Sequence, residues 1–272
     1  MIIQPKVWGA TCRCNLHHLS LAYIVVAAFG IAAFAWPPVA LGAVALALTA
    51  LVADGIARPG SSLFYPTVRH GPRGGRRVAL TFDDGPDPAT TPAVLDALAE
   101  TRAKATFFVI GKALAAQPEL AQRIAAAGHA LGNHSWRHSR WQNFRGAQSH
   151  LDEIDRCQKA VCAVAGAGQP ILYRPPVGLK SGGLARAAWR RNVKIVAWSL
   201  HSRDTRLADP ESIARRVLSR VRGGDIILLH DGHDLPGRRR PHCAEAVRLI
   251  ARGLRERGFE CVTVPELLAG GR

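Results

Sequence analysis

From Arg77 onward, short apolar runs alternate with Ala/Leu/Arg-rich segments of helical period, and this alternation limits the fold more than any other feature of the 272-residue chain. Strands are expected at 78–82, 105–110, 129–133, 171–174, 194–198, 225–230 and 260–264. Helices are expected between them at 92–100, 113–127, 146–165, 184–191, 210–222 and 243–257. Pro118 and Pro210 fall near helix starts, where a missing N–H is harmless. Strands separated by helices pair in parallel through crossovers, so the fold class is α/β, either doubly wound or barrel-like. About 200 residues lie beyond an apolar N-terminal region, enough for one sizeable domain.

The first strand ends in Thr81-Phe82-Asp83-Asp84-Gly85-Pro86, with Gly85-Pro86 forcing a turn. Adjacent Asp side chains on an extended segment point to opposite faces, so one can hold a cation while the other moves a proton. Taken alone, the pair reads equally well as solvated loop aspartates. Further on, His134-Ser135-Trp136-Arg137-His138 sets two histidines four apart, which on one helical turn share a face. With an Asp they make a two-His, one-carboxylate set that leaves positions open for water and substrate. Such a pair is common on Arg-rich surfaces, and the protease pattern H-E-x-x-H is absent. Position decides between these readings. Asp83, His134, Arg174, Asp204 and His230 all fall at or just past the C-terminal ends of expected strands. Parallel barrels carry their active sites there, which favours a distorted (β/α) barrel of about seven parallel strands.

Four motifs in order now carry a specific resemblance. TFDDGP is followed by the H-S-x-x-H pair, then by Tyr173-Arg174-Pro175-Pro176-Val177-Gly178, then by Ile227-Leu228-Leu229-His230-Asp231-Gly232. This series resembles the polysaccharide deacetylase family, the NodB-homology domain or carbohydrate esterase family four, over 77–268. The resemblance implies that Asp84, His134 and His138 hold a divalent metal ion, with zinc favoured by the Irving–Williams order. It implies that Asp83 is the general base, that Arg174 holds this base in place, and that His230 is the general acid. Asp204 resembles the aspartate that tunes that histidine.

The chemistry supports these roles separately. Amide hydrolysis needs an activated water, a stabilised oxyanion and a proton for the departing nitrogen. A divalent ion acidifies water and polarises the carbonyl. A free carboxylate accepts the water proton, and a histidine kept protonated by a buried Asp donates one. Backbone N–H near Val177 can form part of an oxyanion site. Read singly, Arg174 is also compatible with a surface arginine ahead of a Pro-Pro turn. His201 and His233 are decoy candidates, and His129 reads as structural.

The implied activity is removal of an N-acyl group, foremost N-acetyl, from an amino sugar in a polysaccharide, oligosaccharide or lipid-linked glycan. Two alternatives are a deformylase of a lipid-linked aminosugar and an idle membrane-anchored glycan-binding module. The idle module is disfavoured because Asp83, Asp84, His134, His138 and His230 are all present. The chain departs from the family at Val177 and Thr205, where an aromatic residue is usual. Both departures remove stacking surface, which suits a short or lipid-linked sugar better than a long chain.

The N-terminal region reads as a membrane segment. Apolar stretches at about 20–36 and 39–56 flank Trp36-Pro37-Pro38, and together they are too long for one span of about 20 residues. A transmembrane helical hairpin turning at those prolines is expected within residues 1–57, followed by a Pro/Gly-rich linker at 58–76. The turn carries no charge, while Lys6, Arg13, Arg58, Arg69, Arg73, Arg76 and Arg77 lie on the other side against the single acid Asp54. The positive-inside rule then places both ends, and the catalytic domain, in the cytoplasm. A single signal anchor with the domain facing the periplasm is the rival. The net charge of +16 is explained by this juxtamembrane collar and by dispersed helical Arg, and the absence of interleaved aromatics argues against nucleic acid. The six cysteines form no CxxC pair and read as idle thiols.

Overall fold

The computed structural model describes residues 26–27, 30, 37–166, 171–233 and 240–270. The chain divides into two units, Met1–Ala53 and Asp54–Arg272. Helix α1 (Pro37–Ala57) begins in the first, and its stretch Pro38–Ala57, with mean hydropathy 2.1, is long and apolar enough to cross a membrane. It covers the expected second span at 39–56. The expected first span, 20–36, lies outside the described residues except at three positions. Pro37 and Pro38 form the first turn of α1 rather than a loop, since their missing N–H groups cost nothing there.

In the second unit all seven expected strands are present. They are β2 (Arg77–Asp83), β3 (Ala105–Val109), β4 (Ala130–Asn133), β5 (Leu172–Tyr173), β6 (Lys194–Val196), β8 (Ile226–His230) and β9 (Glu260–Cys261). Two further strands of two residues each, β1 (Thr67–Val68) and β7 (Leu200–His201), are too short to leave a periodic signal. The order is β1-β6-β5-β4-β3-β2-β8-β7, with β9 beside β2, and every paired strand is parallel. The sheet curves as a half-barrel whose outer strands are β1 and β7.

The expected helices are present as α2 (Thr91–Thr101), α5 (Ala147–Ala165), α6 (Gly182–Arg191), α7 (Pro210–Leu218) and α8 (Cys243–Glu256), with a final α9 at Val264–Ala269. One expected helix is two. Pro118 cannot continue a helix from the preceding turn, so 113–127 splits into α3 (Gly111–Ala116) and α4 (Pro118–Ala126).

Strand β2 shows why this sequence builds a site. Val78, Leu80 and Phe82 face the helical layer, where Phe82 stacks on Phe107 at 4.9 Å and packs with Leu98 and Ile250. Alternation turns Ala79, Thr81 and Asp83 to the opposite, interior face. Both faces are buried, which is why the strand reads as a continuous apolar run. Interior polar groups on such a strand need partners, and Thr81 and Asp83 share one in Arg174.

The stretch 58–76, expected as a linker, packs into the second unit. It supplies β1, and its buried Tyr65 donates a hydrogen bond to Val193 O at 2.7 Å. Lys180, almost fully buried, donates from Nζ to the carbonyls of Arg58 (2.9 Å) and Pro59 (2.5 Å), while its backbone N–H donates to Ile56 O. Burial pushes this ammonium down to about 8, so it remains charged at neutral pH. It caps carbonyls at the C-terminal end of α1.

Candidate active site

Asp83 closes β2, and Asp84 leaves the strand with φ 74. This left-handed step overturns the expectation that the two carboxylates point to opposite faces. Both converge on one imidazole: His134 Nε2 lies 3.7 Å from Asp83 Oδ2 and 3.6 Å from Asp84 Oδ1. His138 Nε2 lies 3.4 Å from Asp84 Oδ1.

The two histidines do not share a helical turn, as their spacing suggested. Residues 134–139 form a loop in which Ser135 and His138 have φ 67 and 54, values that no α-helix accommodates. Side chains hold that loop. Asn133 Oδ1 accepts from Ser135 N, Ser135 Oγ accepts from His138 N, and buried Glu153 accepts from the N–H groups of Trp136 and Arg137. The rings still end 4.7 Å apart.

Asp84, His134 and His138 are all buried and present ligand atoms within 4.8 Å of one another. The fit to a cation is chemical as well as spatial. The His–Asp separations exceed hydrogen-bond length, yet they suit atoms that each approach a shared ion at about 2.1 Å. His134 Nδ1 meets Arg174 O at 2.7 Å, which fixes the ring and aims Nε2 at the cluster. Burial opposes the Asp84 charge, but the adjacent imidazole of His134, with His230 and His138, holds its carboxyl far below the usual range. An ionised carboxylate beside two imidazoles is a ligand set for a divalent ion.

Arg174 is fully buried, and every bond it makes bears on the site. Nη1 donates to Asp83 Oδ1 at 2.7 Å and to Thr81 Oγ1 at 2.8 Å. Nε and Nη2 donate to the carbonyls of Val196 and Ala197, and the guanidinium lies 4.0 Å over the Phe108 ring. The surface reading of this arginine is therefore excluded.

Parallel register sets Asp83 beside His230 on β8. His230 Nδ1 is 3.0 Å from Asp204 Oδ1, and its backbone N–H donates to Asp204 Oδ2 at 2.7 Å. Burial works against charge on His230, but the Asp204 carboxylate, helped by Asp83 and Asp84, outweighs it and raises the pKa. The structure thus brings together all seven residues singled out from the sequence: Asp83, Asp84, His134, His138, Arg174, Asp204 and His230.

His129, read as structural, and the decoy candidate His201 both stand apart from this group. His129 lies at the other end of the strands, its Nδ1 accepts from Ala105 N, and burial with Lys104 pushes it down to about 4. His201 is nearer, with its ring 6.3 Å from that of His230. Sequence reasoning missed Asp231. This buried carboxylate accepts from Thr91 Oγ1 at 2.6 Å, and burial pushes it up to about 7. Its motif was legible, but nothing in it marked the residue after His230 as buried. Two motif glycines have a steric reason. A Cβ at Gly85 would stand 2.3 Å from the Asp231 carboxylate, and one at Gly232 would stand 2.4 Å from Asp84 O. Only glycine lets these two loops touch.

Residues 70–196 match the family model for polysaccharide deacetylase. A peptidoglycan-N-acetylglucosamine deacetylase from Bacillus cereus is 36% identical over 199 residues, covering 72% of this chain and 90% of that protein. A chitooligosaccharide deacetylase from a Bradyrhizobium species is 36% identical over 202 residues, covering 71% and 91%. Among solved structures, a peptidoglycan N-acetylglucosamine deacetylase bound to an N-hydroxybenzamide superposes with a TM-score of 0.69 at 32% identity, covering 75% of this chain and 92% of that one. The chain belongs to the polysaccharide deacetylase family. It is accordingly an enzyme, a hydrolase of the carbohydrate deacetylase class.

Proposed function

We propose that the chain hydrolyses the N-acetyl group of an amino sugar within a glycan, releasing acetate and a free amine. One observation carries this reading: Asp83, clamped by buried Arg174, lies between the Asp84/His134/His138 group and the His230–Asp204 pair. A divalent cation at Asp84, His134 and His138, zinc in our reading, supplies polarisation of the amide carbonyl and acidification of water. Asp83 takes the proton of the attacking water through Oδ2, the oxygen not taken by Arg174. Arg174 holds that carboxylate in one rotamer through its 2.7 Å hydrogen bond to Oδ1. His230 gives a proton to the departing nitrogen from Nε2, since Nδ1 is occupied by Asp204. The backbone around Val177, which is 46% exposed, contributes to holding the oxyanion.

The substrate we favour is short or lipid-linked, because Val177 and Thr205 stand where the family offers aromatic surface. The named relatives act on peptidoglycan and on chitooligosaccharide, which supports N-acetylglucosamine as the sugar. We read 1–57 as the membrane region, with spans at about 20–36 and 39–56 and the catalytic domain in the cytoplasm. A reporter fused after Arg272 is expected to behave as cytoplasmic; a periplasmic signal would replace the hairpin with a single anchor.

The deciding experiment measures acetate released from N-acetylglucosamine oligomers and from a lipid-linked N-acetylglucosamine by the full-length protein in detergent. Release that zinc restores after chelation is expected from at least one of them. A folded, zinc-loaded protein that releases acetate from neither would overturn the assignment. The acid role has its own pH test. Asp204 raises the pKa of His230, so Asp204→Asn should move the alkaline limb of kcat/KM to lower pH by about one to two units. An unmoved limb would give the acid role to another group.

A further inference from the structure

Outside the site, the two most exposed large apolar side chains among the described residues of the second unit lie side by side. The 3-10 turn Arg140–Phe144 follows His138 by one residue, and it carries Trp141 at 72% and Phe144 at 83% exposure. The two rings are 5.8 Å apart, and exposed Arg140 and Arg145 flank them in sequence, as does Arg137, whose guanidinium is paired with Glu153 at 2.7 Å. Beside them is a cavity of about 300 Å³ lined by Arg137, Ser139, Gln142, Arg145 and Ser149.

This turn is joined by packing to the end of α1. The Arg145 carbonyl lies against Gly183 at the start of α6, so close that a Cβ on Gly183 would stand 2.6 Å from it. Two residues before that helix is Lys180, whose ammonium holds the carbonyls of Arg58 and Pro59. From there the chain passes straight into the apolar stretch Pro38–Ala57. The aromatic turn and residues 56–59 at the start of the second unit are therefore linked along one packed arc of that unit.

We infer that this arc docks on the surface of an anionic phospholipid bilayer. Trp141 and Phe144 enter the interface, and the arginine-lined cavity receives a lipid headgroup phosphate. Exposed aromatic rings flanked by arginines match the chemistry of the headgroup layer, where aromatic side chains concentrate and basic ones meet anionic lipid. The root of the membrane segment keeps the bilayer within reach. Docked this way, the site opens at the membrane surface and takes amino sugars presented there. The inference rests on reading 39–56 as a membrane segment, but not on the deacetylase activity.

The test uses full-length protein in nanodiscs of phosphatidylglycerol or phosphatidylcholine, with and without brominated acyl chains. Bromolipid quenching of wild type minus that of Trp141→Phe isolates Trp141 from the other five tryptophans. A Trp141 component that is larger in phosphatidylglycerol, and that falls in Arg145→Gln, is expected. No Trp141 component in protein that co-purifies with discs would overturn the docking, and protein that does not associate with discs would overturn it together with the membrane reading. A third outcome also overturns it: no quenching, with a KM for soluble oligomers raised about tenfold in Trp141→Ala/Phe144→Ala. That result would make the pair a sugar-stacking platform.

Discussion

Asp83→Asn is expected to lower kcat on an N-acetylglucosamine oligomer by about 10²–10⁴-fold while one divalent ion per chain is retained. The substitution keeps shape but removes the group that accepts a proton. Geometry makes the metal readout essential, because Asp83 and Asp84 stand at almost equal distances from His134 Nε2, 3.7 and 3.6 Å. What separates them is their other partners. Asp83 Oδ1 is taken by Arg174, whereas Asp84 lies 3.4 Å from His138 as well. Loss of the ion together with activity would make Asp83 a ligand and leave the base unassigned. Full activity would remove Asp83 from proton transfer altogether.

Arg174→Met is the second large expectation, and it concerns stability. A buried ion pair adds little net stability against an apolar replacement of both partners, but removing one partner strands the other charge at a cost of about 3–5 kcal/mol. Here the loss also frees two buried carbonyls, those of Val196 and Ala197. In a domain of this size that corresponds to a fall in Tm on the order of 10 °C. Adding Asp83→Asn to Arg174→Met should recover part of the loss, since the stranded charge is then gone. A double variant as unstable as the sum of the two singles would show that Arg174 acts through the carbonyls and not through Asp83.

Much of this site was legible because its chemistry is local to strand ends. Asp83, Arg174 and His230 mark the ends of apolar runs, and parallel strands bring such ends to one face. Backbone torsion was not legible. The spacing of His134 and His138 suggested a helix, yet Asn133, Ser135 and Glu153 hold an irregular loop, and no periodicity reports side-chain-to-backbone bonds. The left-handed φ of Asp84 was hidden in the same way. Composition misled at 58–76, where Pro and Gly signal an irregular path and say nothing about whether it packs. Trp141 and Phe144 passed unnoticed because aromatic residues in a sequence read as core until exposure is known.

The placement of β1 has a practical consequence for anyone who wants the second unit without its apolar N-terminal helix. The motifs begin near Arg77 and the family match at residue 70, so either would invite truncation there. Such a cut would remove Thr67-Val68 from the flank of β6 and Tyr65 from its partner Val193. The bared edge of β6 would present unpaired N–H and C=O groups, a template on which another chain can add. Soluble yield should therefore depend on starting at or before Asp54, and a late start should give filaments or inclusion bodies from a domain in which Asp83, His134, Arg174 and His230 are all intact.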